Sequence, residues 1–223
     1  MIVVTAGTSE YRQIVDAQAR KCAEFGYRHI VYDLGGLGIG EPYHVEVEDL
    51  KPTVNGDSLP PATFKAALIG EAFAHAFRNE LVCWLDADCI PLQSFQPDGS
   101  FDAAVTLRPA PEVGLSNNPA LDYLNSGVVW IRNSQMGRLF ASDWLLRSVD
   151  MKTDQGALNE CVAPGVHQTL TWNSLRGKVH DRTLILDCTE WNCWTPPFTG
   201  ARIAHFKRGI RNQAVNYLWR LMA

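Results

Sequence analysis

Short apolar runs of strand length alternate along this chain with stretches whose apolar positions recur at helical spacing. The first run, Ile2-Val3-Val4-Thr5-Ala6, is rich in β-branched residues and predicts a strand. From Glu10 to Phe25 the residues Ile14, Ala17, Ala19, Cys22 and Phe25 supply an apolar face. Ser9 stands where a helix cap is needed and Gly26 where a helix should end. A second strand is expected over His29 to Leu34. A β-α-β order this early implies parallel strands covered by helices, and hence an α/β class.

The same reading continues downstream. The run Gly35-Gly36-Leu37-Gly38-Ile39-Gly40 has the glycines of a phosphate loop but not its context. Glu41 to Val47 looks extended where a helix should open, so a flexible turn is expected. Leu50 to Pro61 is polar and proline-rich, a surface loop. Phe64, Ala67, Leu68, Ala72, Phe73, Ala76 and Phe77 then mark the core face of a helix from Ala62 to Arg78. Strands are expected at Leu81 to Pro91, Phe101 to Leu107 and Val128 to Arg132, the last entered through Tyr123 to Gly127. Arg108 to Asn118 reads as a long polar loop of the kind that forms lids. An amphipathic helix over Met136 to Ser148 and a short helix from Asp154 to Glu160 follow, and Ile210 to Ala223 reads as a closing helix.

Length and composition narrow the class. A chain of 223 residues can bury one substantial core, so a single domain is expected over 1–223. A net charge of −4 provides no basic field for nucleic acid, and an anionic substrate would have to be neutralised locally by a cation. The N-terminus lacks the basic and long apolar regions of a signal peptide, and no run reaches the roughly 20 apolar residues of a spanning helix. A cytoplasmic protein without a transmembrane segment is the expectation. Six scattered cysteines in a chain of this length read as reduced core thiols rather than as staples or zinc ligands.

The candidate chemistry centres on Leu81-Val82-Cys83-Trp84-Leu85-Asp86-Ala87-Asp88. On a continuous strand Asp86 and Asp88 would share one face. Two converging carboxylates need a cation or a proton, and a hard divalent ion such as Mn²⁺ or Mg²⁺ suits oxygen ligands. Lys65 lies in the first turn of its helix, where a cation opposes the helix dipole and calls for an explanation. Asn125 and Ser126 precede Gly127, which permits close approach of a ligand to the main chain. Asp154 alone would be an ordinary helix cap. Trp172, Trp191, Cys193, Trp194 and Phe198 make the last third rich in aromatics, as core or as a sugar platform. In Ile203-Ala204-His205-Phe206-Lys207 a strand-end histidine is followed two residues later by a lysine on the same face, which can supply a metal ligand and a phosphate cation.

Phe64-Lys65, Leu85-Asp86-Ala87-Asp88, Leu124-Asn125-Ser126-Gly127-Val128, Asp154-Gln155-Gly156-Ala157-Leu158-Asn159 and Ala204-His205-Phe206-Lys207 together resemble the ordered motif set of GT-A fold glycosyltransferases. The likeness is strongest to family eight, the glycogenin and bacterial α-galactosyltransferase type. The resemblance implies a mostly parallel, Rossmann-like sheet flanked by helices, with 1–92 mainly a nucleotide-binding half and 93–223 mainly a sugar and acceptor half. It implies that Asp86, Asp88 and His205 hold Mn²⁺, or Mg²⁺, against the diphosphate of a nucleotide-sugar, a UDP-sugar by preference. By the same likeness Lys207 touches the phosphates, Lys65 the nucleotide-sugar, and Asn125 and Asp154 the donor sugar. Ser126 falls in the donor-binding motif, Gln155 would lie under the anomeric carbon, and Val4 and Thr5 would frame the uracil and ribose. After the histidine this chain departs from the family, because Gly209 is followed by Ile210-Arg211-Asn212 rather than by a longer glycine-containing run with a further lysine and tryptophan.

The implied activity is metal-dependent transfer of a sugar from a nucleotide-diphospho-sugar to a saccharide or other hydroxyl acceptor, with retention of anomeric configuration. A sugar nucleotidyltransferase is the enzymatic alternative, although Thr5-Ala6-Gly7-Thr8-Ser9 lacks the basic residues of its phosphate loop. A non-catalytic nucleotide-sugar-binding module is the alternative outside enzymes.

Overall fold

The computed structural model describes residues 1–38, 53–54, 57–58, 63–108, 123–162 and 182–207. β1 (Ile2–Thr8) leads through a 3-10 turn at Ser9–Tyr11 into α1 (Arg12–Glu24), and β2 (Arg28–Gly35) lies parallel to β1. The helix therefore starts after Tyr11. Ser9 spends itself in the 3-10 turn and caps nothing, while Gly26, at φ 73°, ends the segment as expected. The proline-rich stretch expected as a loop contains β3 (Thr53–Val54) and β4 (Asp57–Ser58), a two-residue antiparallel ladder.

α2 (Phe64–Ala72) is shorter than the apolar spacing predicts. Beyond it the amides of Ala74, His75 and Ala76 reach back only three residues, and the Asn133 side-chain amide draws in the carbonyls of Ala76 and Phe77 at 2.9 and 3.1 Å. A tertiary donor thus takes the carbonyls that another helical turn would need. β5 (Leu81–Leu85) and β6 (Cys89–Pro91) replace the single strand expected over Leu81 to Pro91. β7 (Ala103–Leu107) and β8 (Leu124–Arg132) follow, the latter beginning at Leu124 rather than at Val128. α3 (Gln135–Met151), capped by Ser134 through the Gly137 amide, and α4 (Asp154–Val162) come next. β9 (Thr183–Leu186), α5 (Cys188–Trp191) and β10 (Ile203–His205) complete the described elements. The expected loop over Arg108 to Asn118 lies, after Arg108, outside the described residues, as do Trp172 and the expected closing helix.

The main sheet runs β2-β1-β5-β8-β7-β9, and only β8 is antiparallel to its neighbours. Alternate residues send their side chains to opposite faces. Ile2, Val4, Val82, Trp84, Val129 and Ile131 pack beneath α2, α3 and α4. Val3, Cys83, Leu85, Val128 and Trp130 face the other way, towards Cys22 of α1 and towards Phe95. β6 and β10 pair antiparallel as a small second sheet, where Ile90, Ala204 and Phe206 meet Ile14 and Ala17 of α1. The result is a three-layer α/β fold with a mostly parallel central sheet. No described helix is long and apolar enough to cross a membrane.

Candidate active site

In an open α/β sheet, ligands sit at the carboxyl ends of the strands where the winding direction reverses. Here β1 passes outward to β2, and the chain then crosses back to β5 on the other side of β1. The reversal lies between β1 and β5. A cavity of about 210 Å³ opens there, with Ala6, Tyr11, Lys65, Trp84, Asp86 and Asp88 in its wall.

The aspartates do not continue a strand. β5 stops at Leu85, and Asp86 to Asp88 form a turn closed by the Cys89 amide donating to the Asp86 carbonyl at 2.9 Å. Gln18, fully buried on α1, fixes this turn from below: its amide donates to the carbonyls of Asp86 at 2.7 Å and Cys89 at 2.5 Å. The Thr5 hydroxyl lies 3.1 Å from the Gln18 carbonyl oxygen and 3.0 Å from the carbonyl of Leu85. The two carboxylates share the cavity wall but have different neighbours. Asp86 Oδ1 accepts from the Trp84 indole at 2.7 Å and from Lys65 at 2.8 Å, whereas Asp88 Oδ1 lies 3.1 Å from His205 Nε2.

Lys65 reaches across from the first turn of α2 to a second carboxylate, Asp154 at 2.9 Å, and to the carbonyl and hydroxyl of Ser126, both at 3.2 Å. Ser126 donates its hydroxyl to Asp154 at 2.9 Å. Burial alone would lower the lysine's pKa, but Asp154 and then Asp86 more than offset it and hold the ammonium well above the ordinary lysine value. This accounts for a cation at the wrong end of the helix dipole. Asp154 is in turn held at the start of α4 by the Trp144 indole, which donates to its carbonyl at 2.7 Å.

β8 brings the third wall. Its register with β7 slips between Val105–Val129 and Thr106–Asn125, so Ser126, Gly127 and Val128 bulge from that ladder towards the aspartates. Gly127 is where Asp86, Asn125 and His205 meet. A Cβ there would lie 2.6 Å from His205 Cε1, 2.8 Å from Asn125 Oδ1 and 3.1 Å from Asp86 Oδ2. The Gly127 amide is taken by Asn125 Oδ1 at 2.7 Å.

Asp88, Cys89 and His205 offer donor atoms within 4.8 Å of one another. The thiol is the odd member. Burial first, then the charges of Asp88 and Asp86, push Cys89 well above the ordinary thiol range, and its side chain packs in the core beside Phe95 and Trp130. A protonated core thiol is no ligand for a hard cation. The members of this group that suit one are Asp88 Oδ1 and His205 Nε2; the expected third ligand, Asp86, is not in the group, and its Oδ2 instead faces His205 across the position that Gly127 leaves open.

Of the other residues singled out in the sequence, Asn125 pairs with Thr106 at the edge of the bulge and Ser126 lies on it. Gln155 follows Asp154 on α4, half-buried, with its carbonyl accepting from Asn159 at 2.8 Å. Lys207 stands beyond β10 with its ammonium 5.9 Å from the Trp194 ring centre. The side chains of Val4 and Thr5 turn inward, Val4 into the core and Thr5 into the Gln18 network, so Ala6 is the β1 residue in the cavity wall. The amides of Gly35, Leu37 and Gly38 all donate to the Asp33 carboxylate, so among the described residues of that glycine-rich turn these three are already taken. Sequence reasoning passed over Trp84, Gln18 and Asn192, whereas Gly127 was marked there as a point of close approach, on the signal of a glycine leading into a strand.

A larger cleft of about 1010 Å³ opens at the opposite end of the sheet, near Arg78, Arg132, Arg138 and Arg182. Arg132 donates to the carbonyls of Phe101 and Asn79, Arg138 to Asn133, and Arg182 pairs with Asp102, so three of its four arginines hold loops together.

No protein-family model and no curated protein sequence matches this chain. Solved structures do. A glycosyltransferase involved in glycosylation of the major capsid of PBCV-1 is 15% identical, with a TM-score of 0.60 over 98% of each chain. An active-site mutant of LgtC is 15% identical, with a TM-score of 0.50 over 100% of this chain and 95% of its own. The galactosyltransferase LgtC with donor and acceptor sugar analogues is 13% identical, with a TM-score of 0.49 over 100% of both chains. At such identities the likeness establishes the fold alone, and with the PBCV-1 capsid glycosyltransferase as neighbour the fold is GT-A: a mostly parallel central sheet flanked by helices.

Proposed function

We propose that this chain is a metal-dependent glycosyltransferase that moves a sugar from a nucleotide-diphospho-sugar, UDP-linked by preference, to a hydroxyl acceptor. The observation that carries the reading is the pairing of Asp88 Oδ1 with His205 Nε2 at 3.1 Å, with Asp86 Oδ2 facing the same imidazole across the Gly127 position, at the reversal point of a GT-A sheet. Two carboxylate oxygens with one imidazole suit Mn²⁺ better than Mg²⁺, since imidazole favours softer ions. When bound, such an ion neutralises a diphosphate and stabilises the charge that develops on it as leaving group. In a chain of net charge −4, Lys207 is the cation offered to the same phosphates.

Lys65, Ser126 and Asp154 form a neutralised cluster beside this site. On this reading Asp154 and Asn125 hold the donor sugar's hydroxyls, and Gln155 sets an amide oxygen near the anomeric carbon as it becomes cationic. Retention is the outcome we propose, and the engagement of the three carboxylates considered as a base supports it. An inverting enzyme needs a base opposite the leaving group. Asp154 is tied to Lys65 and Ser126, Asp187 caps α5 through Thr189, and Glu190 pairs with Arg202 at 2.7 Å. The acceptor oxygen then attacks from the leaving-group side, the anomeric C–O bond to phosphate breaks as the new C–O bond forms, and the departing phosphate oxygen takes the acceptor's proton.

The test is a panel of nucleotide-sugars with and without Mn²⁺, read first by melting temperature and then by release of free nucleoside diphosphate. A donor at 100 times its Kd should add about 2.7 kcal/mol and raise the melting point by several degrees. The anomeric proton of the product, recorded by NMR before mutarotation, should report an α linkage from an α-linked donor. No donor-dependent release would reject the enzyme, and a β linkage would reject retention.

A further inference from the structure

We infer that Asn192 is a positioning residue of this site: it selects the Nδ1–H tautomer of His205 and so presents Nε2 as the ligand atom. The inference rests on the metal reading above and adds a residue to it.

The backbone first brings the two together. Trp191, the last residue of α5, packs edge-on against fully buried Trp130 with ring centres 5.7 Å apart, which anchors this end of α5 to the sheet. The next residues run beside β10. The Cys193 amide donates to the Ile203 carbonyl at 2.9 Å and the His205 amide to the Cys193 carbonyl at 2.6 Å. Asn192 and His205 are thereby held side by side, each only 2% exposed.

The side chains form a chain of single contacts. Asn192 Nδ2 donates to the Thr106 hydroxyl at 3.0 Å, and Asn192 Oδ1 lies 2.8 Å from His205 Nδ1. Thr106 is fully buried on β7, at the slip in register that creates the Gly127 bulge. With its NH₂ given to Thr106, Asn192 presents an acceptor to the imidazole, so Nδ1 carries the hydrogen. Nε2 then points its lone pair towards Asp88 Oδ1, 3.1 Å away. Two acceptors facing each other at that distance repel unless a cation or proton lies between them. The reverse amide orientation would place NH₂ against Nδ1, force the hydrogen onto Nε2, and abolish the ligand. An amide also does this work without adding charge, whereas a carboxylate in its place would bury another anion.

The test uses the full chain and two readouts. Long-range ¹H–¹⁵N spectra of the imidazoles, in mildly alkaline buffer and with His205 assigned from His205→Asn, report the tautomer directly. The Mn²⁺ signal by electron paramagnetic resonance reports affinity without any donor or turnover. Wild type should show the Nδ1–H form. Asn192→Leu, close in shape but unable to accept, should lose that preference and bind Mn²⁺ about 10–100-fold more weakly, the usual effect of removing a metal ligand's outer partner. Asn192→Asp should keep the Nδ1–H form. If Asn192→Leu fails to fold, wild type and Asn192→Asp carry the test, because an Nε2–H tautomer in either overturns the inference. An unchanged tautomer and affinity in folded Asn192→Leu overturns it as well. Should wild type show the Nδ1–H form, lost in Asn192→Leu, yet bind no Mn²⁺, the metal reading fails while the positioning by Asn192 stands.

Discussion

At Lys65 a single ammonium group answers two carboxylates, a hydroxyl and a carbonyl. Replacement by methionine would keep the stem and strand Asp86 and Asp154 beside each other. Losing one partner of a buried ion pair costs about 3–5 kcal/mol, and partial exposure of Asp86 should reduce this to roughly 2–3 kcal/mol. Lys65→Met should therefore lower stability as well as weaken donor binding, checked by urea unfolding and by calorimetry. The sign of its pH dependence is fixed. A raised lysine pKa stabilises the fold at every pH below the unfolded value of 10.5 and is lost only as pH rises through the higher folded value, so the stability difference should stay flat between about pH 6 and 9. Gly127→Ala isolates the site from the fold. Its methyl would press on His205, Asn125 and Asp86, and Mn²⁺ affinity should fall at least about tenfold, as when a ligand's support is removed, with the circular dichroism spectrum unchanged. The conspicuous residues were legible as residues: Asp86, Asp88, His205 and Lys65 were each singled out by type and spacing. Their supports were not. Trp84, Gln18 and Asn192 look like ordinary core residues in sequence, because nothing local records that α1 lies under the aspartate turn or that α5 ends beside β10.

The elements show the same division at a larger scale. Apolar periodicity located α1 to α4 and the strands β1, β2, β5, β7 and β8, since period and burial are written in neighbouring residues, but it did not find α5, β3, β4 or β9. It overran where a polar residue from elsewhere takes the backbone's hydrogen bonds, as Asn133 does at the end of α2. It also merged β5 with β6, because a turn held by Gln18 across the fold leaves no glycine or asparagine signature of its own. That turn yields a prediction. Gln18→Leu would remove the side-chain donor from the Cys89 carbonyl, at about 1–3 kcal/mol for a group left unsatisfied, and one of two donors from the Asp86 carbonyl, which keeps the Cys89 amide. Stability should fall by that order, and Mn²⁺ affinity with it, because Asp86 and Asp88 are aimed by the turn. Thermal unfolding and resonance titration of one preparation would check both, and a stable variant with normal affinity would remove Gln18 from the account.

Taken as a whole molecule, the sheet carries its site at the carboxyl ends of β1 and β5 and a half-buried histidine, His29, on β2 close behind. Burial lowers His29 to a pKa of about 3, its one hydrogen-bonded nitrogen lying 3.1 Å from the Thr5 hydroxyl. The unfolded chain takes up that proton near pH 6.5 and the native state does not, so stability is full above that value and falls as pH drops towards 3, by up to about 1.4 kcal/mol per pH unit. Denaturant titrations of wild type and His29→Gln should diverge below pH 6 in that sense. The winding of the sheet, legible as a β-α-β order in the first 34 residues, sets where the site lies. The chemistry depends on whether Asp86, Asp88 and His205 hold a cation there that recruits a diphosphate. Calorimetric titration of UDP, with GDP as a second arm, into wild type and Asp88→Asn with and without Mn²⁺ measures this directly. The account predicts tight binding of one nucleotide to wild type only when Mn²⁺ is present, and its loss in Asp88→Asn. Equal affinity with and without the metal, or in the two proteins, would contradict it.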